Sequence, residues 1–203
     1  DDVESRGLGD VYKRQDYTVL YINMQEYSGM DRMFDTDFGA NLSDLMYFYK
    51  QSPESMAVKL KAVTYSAEGF DYIPPLVYSY DLRNIDTGQW LQFIQNVAEL
   101  TEYDKIIIEF GQVLNNPMIL LESCNRIFVP VSNDWMNQCK KKEWEEYLLR
   151  TGYEEILDRT EMLQVPQIRQ WSSLDEYKEC YLWGEPGDYI CLLYTSDAAD
   201  DLI

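Results

Sequence analysis

Tyr103–Gly111 reads YDKIIIEFG. Within it, Lys105–Phe110 (KIIIEF) is a continuous apolar run broken by a single acid. A strand with one solvated face would alternate polar and apolar residues. A continuous run instead predicts a strand buried on both faces of a parallel sheet. Downstream, Ile127–Val131 (IFVPV) is a second run of the same kind, and upstream Tyr17–Asn23 (YTVLYIN) is β-branched and aromatic and reads as a strand.

The segments between these strands carry helical signals. Asn41 to Asp44 (NLSD) offers N-caps ahead of LMYFYK, and Pro53 can open a further helix with Met56, Val58, Leu60 and Val63 as its apolar face. Phe70–Ile73 is a brief strand stopped by Pro74 and Pro75. Asp86 or Thr87 can cap the next helix, where Trp90, Phe93, Ile94, Val97 and Leu100 recur at helical spacing, a pattern that reads as core. A helical segment spans roughly residues 117–123, and Asn133 or Asp134 caps a long charged helix to about Arg150. Its apolar positions are Trp135, Met136, Cys139, Trp144, Tyr147 and Leu148. Beyond Gly152 the signal weakens, with an edge strand expected within 156–165 and a short helix over 175–183. Strand, helix, strand, helix, strand predicts an α/β fold with a mainly parallel sheet flanked by helices in three layers.

Composition narrows the chemistry. The chain of 203 residues carries a net charge of −19, which argues against direct nucleic-acid binding, since that needs clustered Lys and Arg. No run of apolar residues is long enough to cross a bilayer. Histidine is absent, which removes imidazole acid–base chemistry and His-ligated metal sites from the chain. Cys124, Cys139 and Cys180 are far apart and form no CxxC, so zinc and dithiol redox chemistry have no support and a reducing, cytoplasmic setting is expected. Lys140–Lys142 followed by Glu143, Glu145 and Glu146 reads as a solvated helix face with pairing along the helix. Tyr17, Tyr21, Tyr47, Tyr49 and Tyr72 read as strand and helix faces rather than as a base-stacking platform.

The two ends read differently from the interior. Ser5–Gln15 (SRGLGDVYKRQ) matches, residue for residue, the translation of a common transposon-based sequencing adapter, and Cys191–Asp200 (CLLYTSDAAD) matches the adapter on the opposite strand. Residues 1–15 and 191–203 are therefore expected to be adapter-derived and non-native, and 16–190 to be one incomplete α/β domain.

In open parallel sheets, ligands bind at the carboxyl ends of the strands, which directs attention to the loops after Asn23, Phe110 and Val131. Around those loops the chain resembles the MinD/ParA-type branch of P-loop ATPases. YDKIIIEFG is similar to the family's Walker B strand, roughly YDxIIID and a small residue, with Glu109 at the aspartate position and Gly111 following. VLYINMQE is similar to the switch I strand VLLIDxDxQ, with Asn23 and Gln25 at the two aspartate positions and Glu26 next. SCNRIFVPVSNDW resembles the family's CDxIxVPV strand, NLSDLMYFYKQ its GLSDLL segment, and FDYIPPL and YDLRNI later family segments. These resemblances cover about Tyr17 to Val131 in family order. The closest likeness is to the CpaE-like branch, associated with pilus assembly and polar localisation, in which a WGEPGDYI-like segment recurs, here Trp183–Ile190.

The resemblance implies that Glu109 would hold a magnesium-bound water, with Gln25 or Glu26 orienting the attacking water and Asn23 and Gly111 near the nucleotide. It also implies a glycine-rich phosphate loop, GKGGxGKT, about 20–30 residues before YTVLYIN, judged from the size of a strand–helix–strand unit. No such loop lies within 16–190, so the fragment is expected to hold no cofactor and to be inactive, with ATP and magnesium left to a full-length parent. Two readings of the parent stay open. In one it is an ATP-hydrolysing dimeric switch; in the other it is a non-hydrolysing or weakly nucleotide-binding scaffold. Amides at 23 and 25 cannot act as carboxylate bases, and with Glu109 they favour the scaffold. Protein partners, a homodimer and peripheral attachment of the parent to the inner membrane follow from the resemblance. An unrelated doubly wound domain of receiver or flavodoxin type is a third reading, opposed by Asn23 and IFVPV where a receiver needs clustered aspartates and a late lysine.

Overall fold

The computed structural model describes residues 17–34, 36–67, 70–76, 78, 83–111, 114–132 and 134–164. They fall into two compact units. Among the described residues one holds the chain through Ile85 together with Gln92–Leu114, and the other holds Asp86–Leu91 and residues 115–164.

The first unit begins with strand β1 (Val19–Met24), a short helix α1 (Met30–Met33), α2 (Leu42–Gln51), a 3-10 turn at Pro53–Ser55 and α3 (Met56–Val63). Strands β2 (Tyr65–Ala67) and β3 (Phe70–Ile73) follow, then α4 (Thr87–Leu100), whose first turn belongs to the second unit, and β4 (Lys105–Phe110). The sheet order is β2-β3-β1-β4. β3 and β4 both run parallel to β1, and only β2 is antiparallel, a three-residue strand too short to leave a periodic signal in sequence. The sheet is thus mainly parallel and helix-connected, as expected.

β1 is the core strand. Leu20, Ile22 and Met24 are wholly buried, and the alternate residues Tyr21 and Asn23 project from the opposite face. Each such aliphatic side chain contributes roughly 1.5–3 kcal/mol by leaving water. Asn41 caps α2 reciprocally: its Oδ1 accepts the Ser43 N–H at 2.8 Å, and Asp44 Oδ2 accepts the Asn41 N–H at 3.0 Å. The Leu42 N–H donates to the Pro74 carbonyl at 3.0 Å, which ties α2 to the end of β3. Asp86 caps α4 by accepting the Gly88 N–H at 2.9 Å, and Trp90, Phe93, Ile94 and Val97 are buried as their spacing predicts.

Three expectations need correction here. Val58 is 72% exposed, because two residues past Met56 it lies on the far side of α3 from Met56, Leu60 and Val63. Leu100 is exposed, at the end of α4 and the margin of its apolar stripe. β4 is exposed at Lys105 and only partly buried from Ile106 to Phe110, rather than enclosed on both faces. Among the described residues it pairs with β1 alone, so a continuous apolar run here marks a sheet-edge strand.

In the second unit, α5 (Met118–Ser123), β5 (Ile127–Val131), α6 (Trp135–Thr151), α7 (Glu154–Asp158) and β6 (Thr160–Gln164) follow in order. β5 and β6 pair in parallel from Ile127 opposite Thr160 to Val131 opposite Gln164. Met118, Ile127, Leu148 and Ile156 form the core, with Cys124 and Trp144 packed against it. Burial pushes the Cys124 thiol up, which suits an inert packing role. Arg159 closes α5 by donating from Nη1 to the carbonyls of Glu122 at 2.7 Å and Cys124 at 2.8 Å. Gly152 ends α6 at φ 81°, a left-handed conformation that glycine adopts without strain. Leu148 is the one residue of α6 that is fully buried, and Trp135, Met136 and Tyr147 are exposed, so most of its apolar positions are not core. The charge block behaves as a solvated face, with Lys141 and Glu145 at 3.7 Å and Arg150 and Glu146 at 2.9 Å. Residues 175–183, the 183–190 segment, Asn133 and part of YDLRNI lie outside the described residues.

Replacing Ile22 with Ala should lower unfolding stability by about 2–5 kcal/mol, whereas Val58→Ala should change it by less than about 0.5 kcal/mol; urea denaturation checks both. Asp134 caps α6 by accepting from Asn137 and Ser132, and those hydrogen bonds hold its carboxyl well below the usual range. A depressed carboxyl contributes stability above its unfolded pKa and loses it as pH falls through the folded value. Asp134→Ala should therefore be less stable than the parent from neutral pH down to about 4, and the gap should close at lower pH. A gap that stays constant into strong acid would contradict the ionised cap.

Candidate functional site

The parallel pairing of β1 with β4 assembles the expected positions. The register sets Asn23 opposite Glu109 and Met24 opposite Phe110, so both strands end together. Paired residues on parallel neighbours project to one face, and Tyr21 shares that face with Asn23 because it lies two residues earlier.

The three polar side chains bond to one another. The Tyr21 hydroxyl donates to Glu109 Oε2. Asn23 Nδ2 donates to Glu109 Oε2 at 3.2 Å and to the Tyr21 hydroxyl oxygen at 2.9 Å. Asn23 Oδ1 accepts the Gln25 N–H at 2.9 Å, which fixes the first residue of the loop. Asn23 is 1% exposed, and its amide has a partner on each side. A buried amide left unpaired would cost about 1–3 kcal/mol, so these bonds are what permits a polar residue at this depth.

The amide is matched to its neighbour. A carboxylate at position 23 would stand beside the Glu109 carboxylate, and like charges that close resist joint ionisation. An amide instead offers the carboxylate a donor. The two departures at 23 and 109 therefore form one complementary pair.

Gly111 marks a close approach of backbones. Its N–H donates to the Met24 carbonyl at 3.3 Å. A Cβ there would lie 2.4 Å from Glu26 Oε2 and 3.0 Å from the Gln25 Cα. The Glu26 side chain could swing aside, but the Gln25 backbone would have to give by a few tenths of an ångström, so glycine is favoured here by contact rather than by φ. Asn23, Gln25, Glu26, Glu109 and Gly111 are thus gathered at one edge. Tyr21 was missed as a member of this group; its i,i+2 relation to Asn23 in a strand was the available signal.

A second polar network ties the opposite ends of the same strands. Asp104 Oδ2 accepts the Thr18 N–H at 2.7 Å and the Thr18 hydroxyl at 2.9 Å, and these bonds, the backbone donor first, lower the Asp104 carboxyl. Tyr103 donates to Asp71 Oδ2 at 2.6 Å, and burial together with that carboxylate pushes its phenol far up. The Tyr-Asp pair before the strand is therefore structural at both residues.

No protein-family model matches the chain, and no curated protein matches it in sequence. Solved structures do. A ParA family ATPase from Chlorobium tepidum TLS superposes with a TM-score of 0.61 at 18% identity, covering 76% of this chain and 63% of that one. The MinC:MinD cell division complex of Aquifex aeolicus gives 0.58 at 10% identity, over 87% of this chain and 65% of that one. A putative plasmid partition protein from Borrelia burgdorferi B31, bound to AMPPNP, gives 0.58 at 12% identity, over 90% and 85%. The chain thus spans under two thirds of the first two structures. At such identities the likeness shows the fold alone: a mainly parallel α/β sheet flanked by helices, of the MinD/ParA type.

Two outcomes check this geometry. Gly111→Ala should cost about 1–3 kcal/mol in urea denaturation, as expected for a forced backbone contact. Asn23→Asp should destabilise at pH 7, where two carboxylates would face each other. The penalty should shrink as pH falls toward about 4, where protonation relieves the repulsion. An Asn23→Asp variant as stable as the parent at pH 7 would contradict the pairing.

Proposed function

We propose that this chain is part of a MinD/ParA-type protein that works as a non-hydrolysing or weakly nucleotide-binding scaffold for protein partners rather than as an ATPase. The observation that carries this reading is the hydrogen-bonded network of Tyr21, Asn23 and Glu109, in which an amide stands where a carboxylate is expected and donates to the neighbouring acid. An ATPase of this type would need a carboxylate turned to magnesium-bound water and another acid or polar group orienting the attacking water. Here the Glu109 carboxylate accepts two internal hydrogen bonds, and position 23 carries an amide that is itself satisfied. Magnesium favours oxygen ligands in a near-ideal octahedron, usually one or two carboxylates with substrate phosphates. Position 23 supplies an amide rather than a carboxylate, and Glu109 Oε2 is already bonded to Tyr21 and Asn23, so this donor set fits magnesium poorly.

The partner reading rests on family likeness. One similar structure is a complex of MinC with MinD, and another is a partition protein bound to AMPPNP. Protein partners and a homodimer are therefore proposed, together with weak or absent nucleotide binding in the full-length parent. The net charge of −19 supports partners other than nucleic acid. The CpaE-like segments point to positioning or pilus-assembly machinery at the cytoplasmic side of the inner membrane. Among the described residues no helix is long and apolar enough to cross a membrane.

A hydrolysing dimeric switch is the second reading, favoured by the retained charge at Glu109 and the close approach at Gly111. Phosphate release from ATP and magnesium by the full-length parent, with the sequence upstream of Asp16 restored, separates the two. The scaffold reading expects no turnover above buffer, unchanged in Glu109→Gln. Magnesium-dependent turnover that Glu109→Gln abolishes would overturn it. For the parent, the scaffold reading expects the DNA upstream of Asp16 to encode a loop without the glycines and lysine of GKGGxGKT, and finding that motif between a strand and a helix would count for the switch.

A further inference from the structure

The edge of the sheet opposite the candidate site holds a cavity of about 260 Å³, where β1 and β3 begin and β2 ends. The residues lining it include the aromatics Tyr17, Phe70 and Tyr103, with Thr18 and Asp71 among them. Sites for drug-sized ligands usually run from about 300 to 1,000 Å³, so this one suits a single side chain better than a nucleotide.

Aromatic rings around a carboxylate form a recognisable cation site, because ring faces and the carboxylate both present negative potential. The carboxylate is held in place. Asp71 Oδ1 accepts the Ser66 hydroxyl and Oδ2 accepts the Tyr103 hydroxyl, each at 2.6 Å. Each bond occupies one lone pair of its oxygen, and a carboxylate has about four acceptor positions, so both oxygens can accept again. Tyr17 is already a cation-binding ring: Lys105 Nζ lies 5.2 Å from its centroid, which shows the ring face to be attractive to positive charge. Tyr17 is 42% exposed, so a ligand can reach it.

We propose that this cavity binds the guanidinium of an arginine on a basic segment of a partner protein. Arginine is chosen over lysine for two reasons. Its planar fork can meet both Asp71 oxygens, and its flat face can stack on a ring. The strong negative charge of the chain would steer a basic segment toward it. This site is independent of nucleotide chemistry and stands whichever reading of the carboxyl edge holds.

The test is calorimetric titration of the full chain at low salt with N-acetyl-arginine amide, and with N-acetyl-lysine amide as the rival probe. Saturable arginine binding is expected, about fivefold tighter than lysine. Asp71→Asn should weaken it by about tenfold or more. Glu54→Gln removes the same formal charge at an exposed position elsewhere and should leave it unchanged. Tyr17→Ala keeps both bonds to Asp71 and should weaken binding about threefold, which decides the matter if Asp71→Asn does not fold. Unsaturable binding, equal effects of Asp71→Asn and Glu54→Gln, or lysine binding as tightly as arginine would overturn the proposal, as would an unaltered Tyr17→Ala.

Discussion

The parallel pairing of Val19–Met24 with Lys105–Phe110 is the constraint on which the first unit depends. It sets six residues against six, buries Leu20, Ile22 and Met24 on one face, and brings polar side chains together at both ends. At the beginning, Asp104 gathers the Thr18 N–H and hydroxyl. At the end, Glu109 gathers Tyr21 and Asn23. A slip of one residue would turn Leu20 and Ile22 to the other face and break both clusters at once. Register is therefore held by apolar burial and by two polar locks together.

Much of this was legible in sequence, and the reasons differ by element. KIIIEF and YTVLYIN are strands on composition alone. Asn41 with Asp44, and Asp86, are caps whose chemistry is local, so they read correctly without tertiary information. The MinD/ParA-type resemblance placed Asn23, Gln25, Glu26, Glu109 and Gly111 at one edge, and the register brings them there. What could not be read was set by neighbours in space. β2 exists only as a partner of β3. The half-burial of β4 depends on how many strands flank it. The exposure of Trp135 and Met136 depends on what α6 packs against, and apolar identity does not encode that.

The candidate site was legible as a place and not as a state. Sequence identified amides where carboxylates were expected, but only the register shows Asn23 satisfying Glu109. The departures at positions 23 and 109 compensate each other physically. An amide is a donor to a neighbouring carboxylate, whereas a second carboxylate would be a repelling charge. That complementarity is the physical content of the non-hydrolysing reading. It also explains how a residue 1% exposed can be polar without a large penalty. The opposite edge is built from the same strands with different chemistry, aromatic rings around Asp71, so one sheet offers two unlike surfaces.

The measurement that tests the central claim most directly is a double-mutant cycle on Tyr21→Phe and Glu109→Gln, read by urea unfolding at pH 7. The Phe substitution removes only the hydroxyl, and the Gln substitution removes only the charge. If Glu109 is held internally by Tyr21, the two changes should couple by about 1–3 kcal/mol, as hydrogen bonds to a charged group do. Strictly additive effects would mean that the carboxylate is not held within the sheet, and the account of this edge as closed would fail.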